Sequence, residues 1–140
     1  MRIGQARSKF IRRCRSTGLS NATVIFYRNQ VRYYWQWLRL SQRADRWLEV
    51  DVLRDYFAHL QKRVGRQEIQ PETVDSAYRA VRALCRWLLT EEEVDVEPFK
   101  RIKRPKVPKK TPRQTDIEDL RRLLLSIDGD GWINLRDRLI

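Results

Sequence analysis

Arg79, Arg82 and Arg86 fall three and four residues apart within residues 71–89, so a helix through them carries three guanidinium groups on one side. A guanidinium keeps its charge at physiological pH and presents a planar fork of donors that suits phosphate oxygens or the O6/N7 edge of guanine. The chemistry on offer is anion recognition. Little else competes with it. His59 is the only histidine, and with no second histidine or Cys pair beside it, no metal site or acid–base role is expected. Cys14 and Cys85 sit at apolar helical positions without CxxC spacing and read as buried free thiols. No catalytic residue, metal ligand, cofactor or small-molecule substrate is expected in the chain.

The arginine row needs a scaffold. On the other side of 71–89, Val74, Ala77, Tyr78, Val81, Leu84, Cys85, Leu88 and Leu89 follow the i, i+3, i+4, i+7 rule of an amphipathic helix. Pro71 stands where a first helical residue needs no N–H, and the acidic run from Glu91 to Glu97 opposes the dipole at the far end, so this helix is expected to stop near Thr90. Three helices precede it. The first spans 3 to about 17, with Ile3, Phe10, Ile11 and Cys14 on one side. Gly18 reads as its left-handed stop, with Leu19 packing back. Ser20 then caps a second helix over 21–40, and Leu19 and Val24 have the spacing of a hydrophobic staple. Its apolar set is Val24, Tyr27, Val31, Tyr34, Trp35 and Leu38. Six aromatics between Phe26 and Trp37 are expected to fill the core rather than to form a stacking platform for single strands. A polar turn over 41–46 leads to a third helix, capped by Asp51 and ended by Gly65. The fold class is all-α.

Charge is segregated along the 140 residues, whose net charge is +12. Residues 1–44 hold ten Lys/Arg and no acid, 45–97 hold eight basic and twelve acidic residues, 98–113 hold eight basic and no acid, and 114–140 hold four basic and six acidic. Solubility alone favours mixed signs; two purely basic blocks point to a polyanion, with nucleic acid the commonest. Prolines at 98, 105, 108 and 112 deny a helix to the second block, which reads as an extended basic linker. After it, Thr115 to Glu118 has capping-box spacing and opens a short helical segment with Ile117, Leu120, Leu123, Leu124 and Ile127. No apolar run reaches the ~18–20 residues of a membrane span, and the start lacks the apolar region of a signal peptide, so no membrane partner and a cytoplasmic location are expected.

Ala22-Thr23 with Tyr27, Val31 and Trp37-Leu38, then Leu53, Tyr56 and Leu60, then Thr73-Val74, Ala80-Val81-Arg82 and Arg86-Trp87-Leu88 form an ordered set. Pro98-Phe99, Ile102-Lys103, Pro105-Lys106 and Pro112-Arg113 follow before Thr115. In order and spacing this resembles the amino-terminal part of tyrosine recombinases, the phage-type integrases. The resemblance implies a four-helix SAM-like core-binding domain over 1–97, a basic interdomain linker over 98–113 and the start of a catalytic domain over 114–140. It implies a DNA-integration and recombination role, with duplex DNA and other recombinase protomers on the paired site as partners. In that family the nucleophilic tyrosine and its arginine, lysine and histidine partners all lie in the catalytic domain. No counterpart can be placed within 140 residues, so the chain by itself is expected not to be an enzyme. Helices two and four would face the duplex through Ser20, Asn21, Thr23, Arg28, Arg32, Thr73, Ser76, Arg79, Arg82 and Arg86. Lys103, Arg104, Lys106, Lys109, Lys110 and Arg113 would continue along the backbone. Asp75 and Ser76 stand where the family often carries basic residues. Two alternatives stay open: a helical protein-interaction module, whose Trp and Tyr content suits interfaces, and a helix-turn-helix regulator, for which no helix pair shows the short turn.

Overall fold

The four α-helices bounded within residues 1–108 end in the same way. In the computed structural model, which describes residues 1–108 together with 117, 121 and 122, the helices are α1 (Ile3–Ser16), α2 (Asn21–Leu40), α3 (Val50–Gly65) and α4 (Pro71–Thr90). Gly18, Gln42, Gln67 and Glu92 each take a positive φ of 71°, 55°, 60° and 56° just past a helix. Beyond each, the next amide closes back on the carbonyl five residues earlier: Leu19 to Cys14 O, Arg43 to Leu38 O, Glu68 to Arg63 O and Glu93 to Leu88 O. Each is a Schellman turn, which satisfies carbonyls the helix leaves bare. Only Gly18 adopts the left-handed region without a Cβ penalty.

The expected ends of α2 and α4 agree with those observed. Ser20 caps α2 by accepting from the Thr23 amide at 3.2 Å. Leu19 contributes its amide to the turn, while its side chain stays 43% exposed, so it does not serve as the buried staple expected of it. Helix α3 begins earlier than expected. Glu49 is its N-cap residue, with no side-chain cap bond, and Asp51 lies inside the first turn, where the dipole favours a carboxylate. Arg46 holds both Glu49 and Asp51 from outside. Gly65 is the last helical residue rather than the stop, which is Gln67.

Helix α4 packs against α1, α2 and α3. Its Val74, Val81, Leu84 and Cys85 are fully buried with Val31, Tyr34 and Leu38 of α2 and Val52 and Leu53 of α3. Each Val or Leu among them contributes roughly 1.5–3 kcal/mol on leaving water. Four of the six aromatics of α2 join this core: Tyr34 is buried, and Tyr27, Trp35 and Trp37 are half-buried against it, whereas half-buried Phe26 and exposed Tyr33 stand outside it. Trp47, just after the polar turn, is also buried. Its indole N–H donates to Met1 O at 3.2 Å, and its own carbonyl accepts from Tyr34 Oη. Burial pushes the Tyr34 and Tyr56 hydroxyls well above the ordinary phenol range.

The region expected to be an extended linker from 98 onward starts differently. Pro98–Arg101 forms a 3₁₀ turn, and Phe99 and Ile102 are buried at 4% and 9% exposure. The Phe99 ring meets Tyr78 at 5.1 Å and Phe57 at 6.1 Å. Tyr78 Oη donates to Ile102 O at 3.2 Å and Arg54 to Arg101 O at 2.9 Å. Two apolar side chains outweigh the prolines here, strapping 98–102 across α3 and α4. Residues 103–108 are then irregular. The chain divides into units Met1–Pro108 and Lys109–Ile140. The short helical segment expected after the linker falls, apart from the helical residues 117, 121 and 122, outside the described residues.

Candidate nucleic-acid interface

At 100° per residue, Arg79, Arg82 and Arg86 lie within roughly 60° of one another on α4, opposite its buried stripe. All three are exposed. They share one shallow depression of about 180 Å³ with Tyr78, Ala83 and Arg104. The strap delivers Arg104 to the row, because Ile102 is anchored two residues earlier.

Two carboxylates face these four guanidiniums. Asp75 is buried at 9% exposure and accepts from Arg104 in a fork, Nε to Oδ1 at 2.7 Å and Nη2 to Oδ2 at 3.1 Å. Arg79 Nε lies 3.3 Å from the same Oδ2. The Arg104 hydrogen bonds hold the Asp75 carboxyl below its ordinary range against the opposing effect of burial, with the charges of Arg104 and Arg79 adding to them. Arg104 is raised in turn, chiefly by the same bonds. Glu97 Oε1 stands 3.7 Å from Arg82 Nε and accepts no hydrogen bond among the described residues. No carboxylate of the described residues pairs with Arg86. The depression therefore keeps a surplus of positive charge. Arg79 also lies over the Phe26 ring at 5.5 Å, which fixes it against α2.

The sixteen residues expected to touch DNA do not form one surface. Arg79, Arg82, Arg86 and Arg104 come together as above. Ser76, half-buried, flanks them on α4. Ser20, Asn21 and Thr23 cluster at the start of α2, with the Ser20 and Thr23 hydroxyls 2.9 Å apart. Thr73 lies about 120° round α4 from Arg79 and lines an apolar groove with Tyr33, Trp37 and Ile69. Arg28 is about 200° round α2 from Phe26 and faces Arg7, Arg12 and Arg15 of α1. Arg32 is exposed nearby on α2. Lys103 turns toward Arg54, Phe57 and Arg101, and Lys106 is exposed. Lys109, Lys110 and Arg113 lie outside the described residues.

The residues missed were Arg7, Arg12 and Arg15, and Asp75 as the holder of two arginines. The signal for the first three was present: no acid occurs before Asp45. The acidic turn spares most of α4's row. Glu93 and Glu91 pair instead with Lys9 and Arg13 of α1, each at 3.3 Å.

Burial raises both thiols, Cys14 and Cys85, the latter up to about 12. Among the described residues, no group of three or more His, Cys, Asp or Glu side chains could hold a metal ion, and no helix is long and apolar enough to cross a membrane.

The comparisons with known proteins agree with the resemblance. A tyrosine recombinase XerD of Halalkalibacterium halodurans is 29% identical over 123 residues, covering 86% of this chain and 40% of its own length. A tyrosine recombinase XerC of Salmonella typhi is 32% identical over 76 residues, 54% of this chain and 25% of its own length. One from Escherichia coli is 36% identical over 59 residues, 42% of this chain and 20% of its own. The chain thus spans less than half the length of these relatives. No protein-family model matches it, and no solved structure matches it significantly.

These relatives are tyrosine recombinases, and tyrosine recombinases are enzymes, so the expectation that the chain stands outside enzymes is corrected. That expectation rested on failing to place catalytic motifs within 140 residues. Motif positions in one stretch of sequence do not decide the kind of protein to which the stretch is related.

Proposed function

With kinship to the tyrosine recombinases as premise, we propose that this chain contributes the DNA-gripping part of a site-specific recombinase, working in the cytoplasm on duplex DNA alongside other protomers. The carrying observation is the convergence of Arg79, Arg82, Arg86 and Arg104 on one open depression, with Asp75 and Glu97 the only carboxylates beside them among the described residues. A row of fixed forks along a rigid helix matches phosphates repeated along a strand, and such contacts set position and affinity. Ser20, Asn21 and Thr23 add hydroxyl and amide groups at the start of α2, where free N–H groups also point outward. Residues 1–104 act in this reading as the gripping domain, and the chain beyond them as its connection to the rest of the protein.

Fluorescence anisotropy with a labelled 30-bp duplex tests this. Changing Arg79, Arg82 and Arg86 to Ala should weaken binding to every sequence and reduce the slope of log K against log salt by about 2.7, at 0.9 per phosphate lost. Between 50 and 200 mM salt, that is roughly 40-fold less loss of affinity than in the parent chain. An unchanged slope would refute the reading.

A second reading, a helical protein-interaction module, draws on one specific feature. The groove of about 730 Å³ between α2, α3 and α4 is lined by Tyr33, Trp37, Leu40 and Ile69, with Tyr33 50% and Leu40 87% exposed. Aromatic exposure of this kind suits a protein interface. The charge pattern favours the DNA reading.

A further inference from the structure

The cations of α1 are sorted. On one flank, Lys9 and Arg13 are taken up by Glu93 and Glu91 of the acidic turn. On the other, Arg7, Arg12 and Arg15 border a depression of about 270 Å³ with Ser8 and with Arg28 of α2. None of these four arginines has a carboxylate partner among the described residues. Arg7 instead lies over the Trp35 ring at 5.5 Å, and Arg39 over the same ring at 5.1 Å. Four like charges around one small groove repel one another, and nothing described on the protein offsets that repulsion. An outside anion would.

Position narrows the anion. Arg28 lies about 200° round α2 from Phe26, where Arg79 rests. The two arginine groups therefore flank α2 on opposite sides. Between them, α2 carries exposed Ile25, Arg32 and Gln36 and half-buried Asn29 on one face, a set dominated by side chains that can pair with base edges. A helix with its side chains is about 10–12 Å across, and the major groove of B-DNA is about 12 Å wide with a phosphate strand on each rim.

We infer that the groove between α1 and α2 is a second phosphate clamp, and that the two clamps hold the two rims of one major groove with α2 between them. This rests on the duplex-binding reading above and adds α1, whose arginines that reading does not use. The α4 row grips one strand, and Arg12, Arg15 and Arg28 grip the other, while Arg7 is steadied by Trp35.

The test uses the whole chain and the same 30-bp duplex at trace concentration. Arg12, Arg15 and Arg28 are changed together to Ala, and separately together to Lys, beside the α4 triple variant and the combination of the two alanine sets. If both clamps act on one duplex, the α1 alanine set lowers the salt slope by about 2.7 and the combination by about 5.4, while the lysine set keeps the parent slope. All three side chains are exposed, so the thermal melt should be that of the parent. If the α1/α2 groove is idle, the α1 alanine set leaves affinity and slope unchanged. If it is a separate site for another duplex, that set costs no more than about twofold at trace duplex and leaves the slope intact. Either result overturns the inference while the α4 reading stands. Failure of the α4 set alone to change the slope would instead remove the duplex-binding reading beneath it.

Discussion

Phe99→Ala measures whether the strap belongs to the helical body. The side chain is 4% exposed and meets two rings nearly edge-on, Tyr78 at 79° and Phe57 at 70°. Truncating a buried Phe to Ala removes its transfer free energy and leaves a cavity, about 3–5 kcal/mol in all. The neighbouring Ile102 and the Tyr78 hydroxyl depend on the same docked segment, so collapse of the strap cannot refill the site, and a loss of about 4 kcal/mol is expected. Stability of a domain this size is about 5–15 kcal/mol, so the variant should fold but lose a large share of its margin. With a urea m-value of about 2 kcal/mol/M, the midpoint should fall by about 2 M. Urea titration followed by Trp fluorescence reads this directly. If 98–104 were a solvated spacer, the substitution would sit within about 0.5 kcal/mol of neutral, a midpoint change near 0.25 M. A shift that small would refute the packing argument and return the domain boundary to Glu97.

Three further outcomes follow from named contacts. Ser20→Ala removes the acceptor of the Thr23 amide and should cost about 1 kcal/mol by the same titration. Asp75 has a carboxyl held below its ordinary range when folded, so its contribution is complete above the unfolded value near ~3.9 and is lost as pH falls through the folded one. The midpoint difference between the parent and Asp75→Asn should therefore be constant near neutrality and shrink on acidification below about pH 4; a difference that grows there would be wrong in sign. Cys85, with its thiol pushed up to about 12, should react with a thiol reagent at pH 8 only as fast as the protein unfolds. Rapid labelling of the native chain would contradict its burial.

The parts of the fold legible in the sequence were those set by local rules. Helix α4 was bounded by Pro71 and the acidic run, and α2 by Ser20 and the loss of apolar spacing after Leu40, because caps and periodicity act within a few residues. What was not legible depended on distant partners. Prolines at 98 and 105 and the surrounding cations read as extended chain, yet Phe99 and Ile102 found the edge of Tyr78 and Phe57, which no local pattern announces. Trp47 follows a polar turn, and its burial likewise depends on distant partners, Met1 and Tyr34. Asp75 read as a departure from a basic position, whereas its partners are Arg104, far along the chain, and Arg79. Among the site residues, assigning the interface to α2 and α4 led to expecting one surface. The sequence distances of Arg28 from Phe26 and of Thr73 from Arg79 already contained their separation by helical angle.

The docked strap also sets the length of a tether. A domain joined through chain that leaves at Glu97 would have seven more residues of slack than one joined through chain that leaves at Arg104. Seven extended residues reach roughly 23–25 Å, more than the width of a DNA duplex. Shortening the leash by that much confines whatever follows to a smaller volume and raises its local concentration near the arginine row. Loosening Arg104 from Asp75 would return only residues 103 and 104 to the leash, because Phe99 and Ile102 still hold the strap, so the buried side chains set most of its length and the ion pair the remainder.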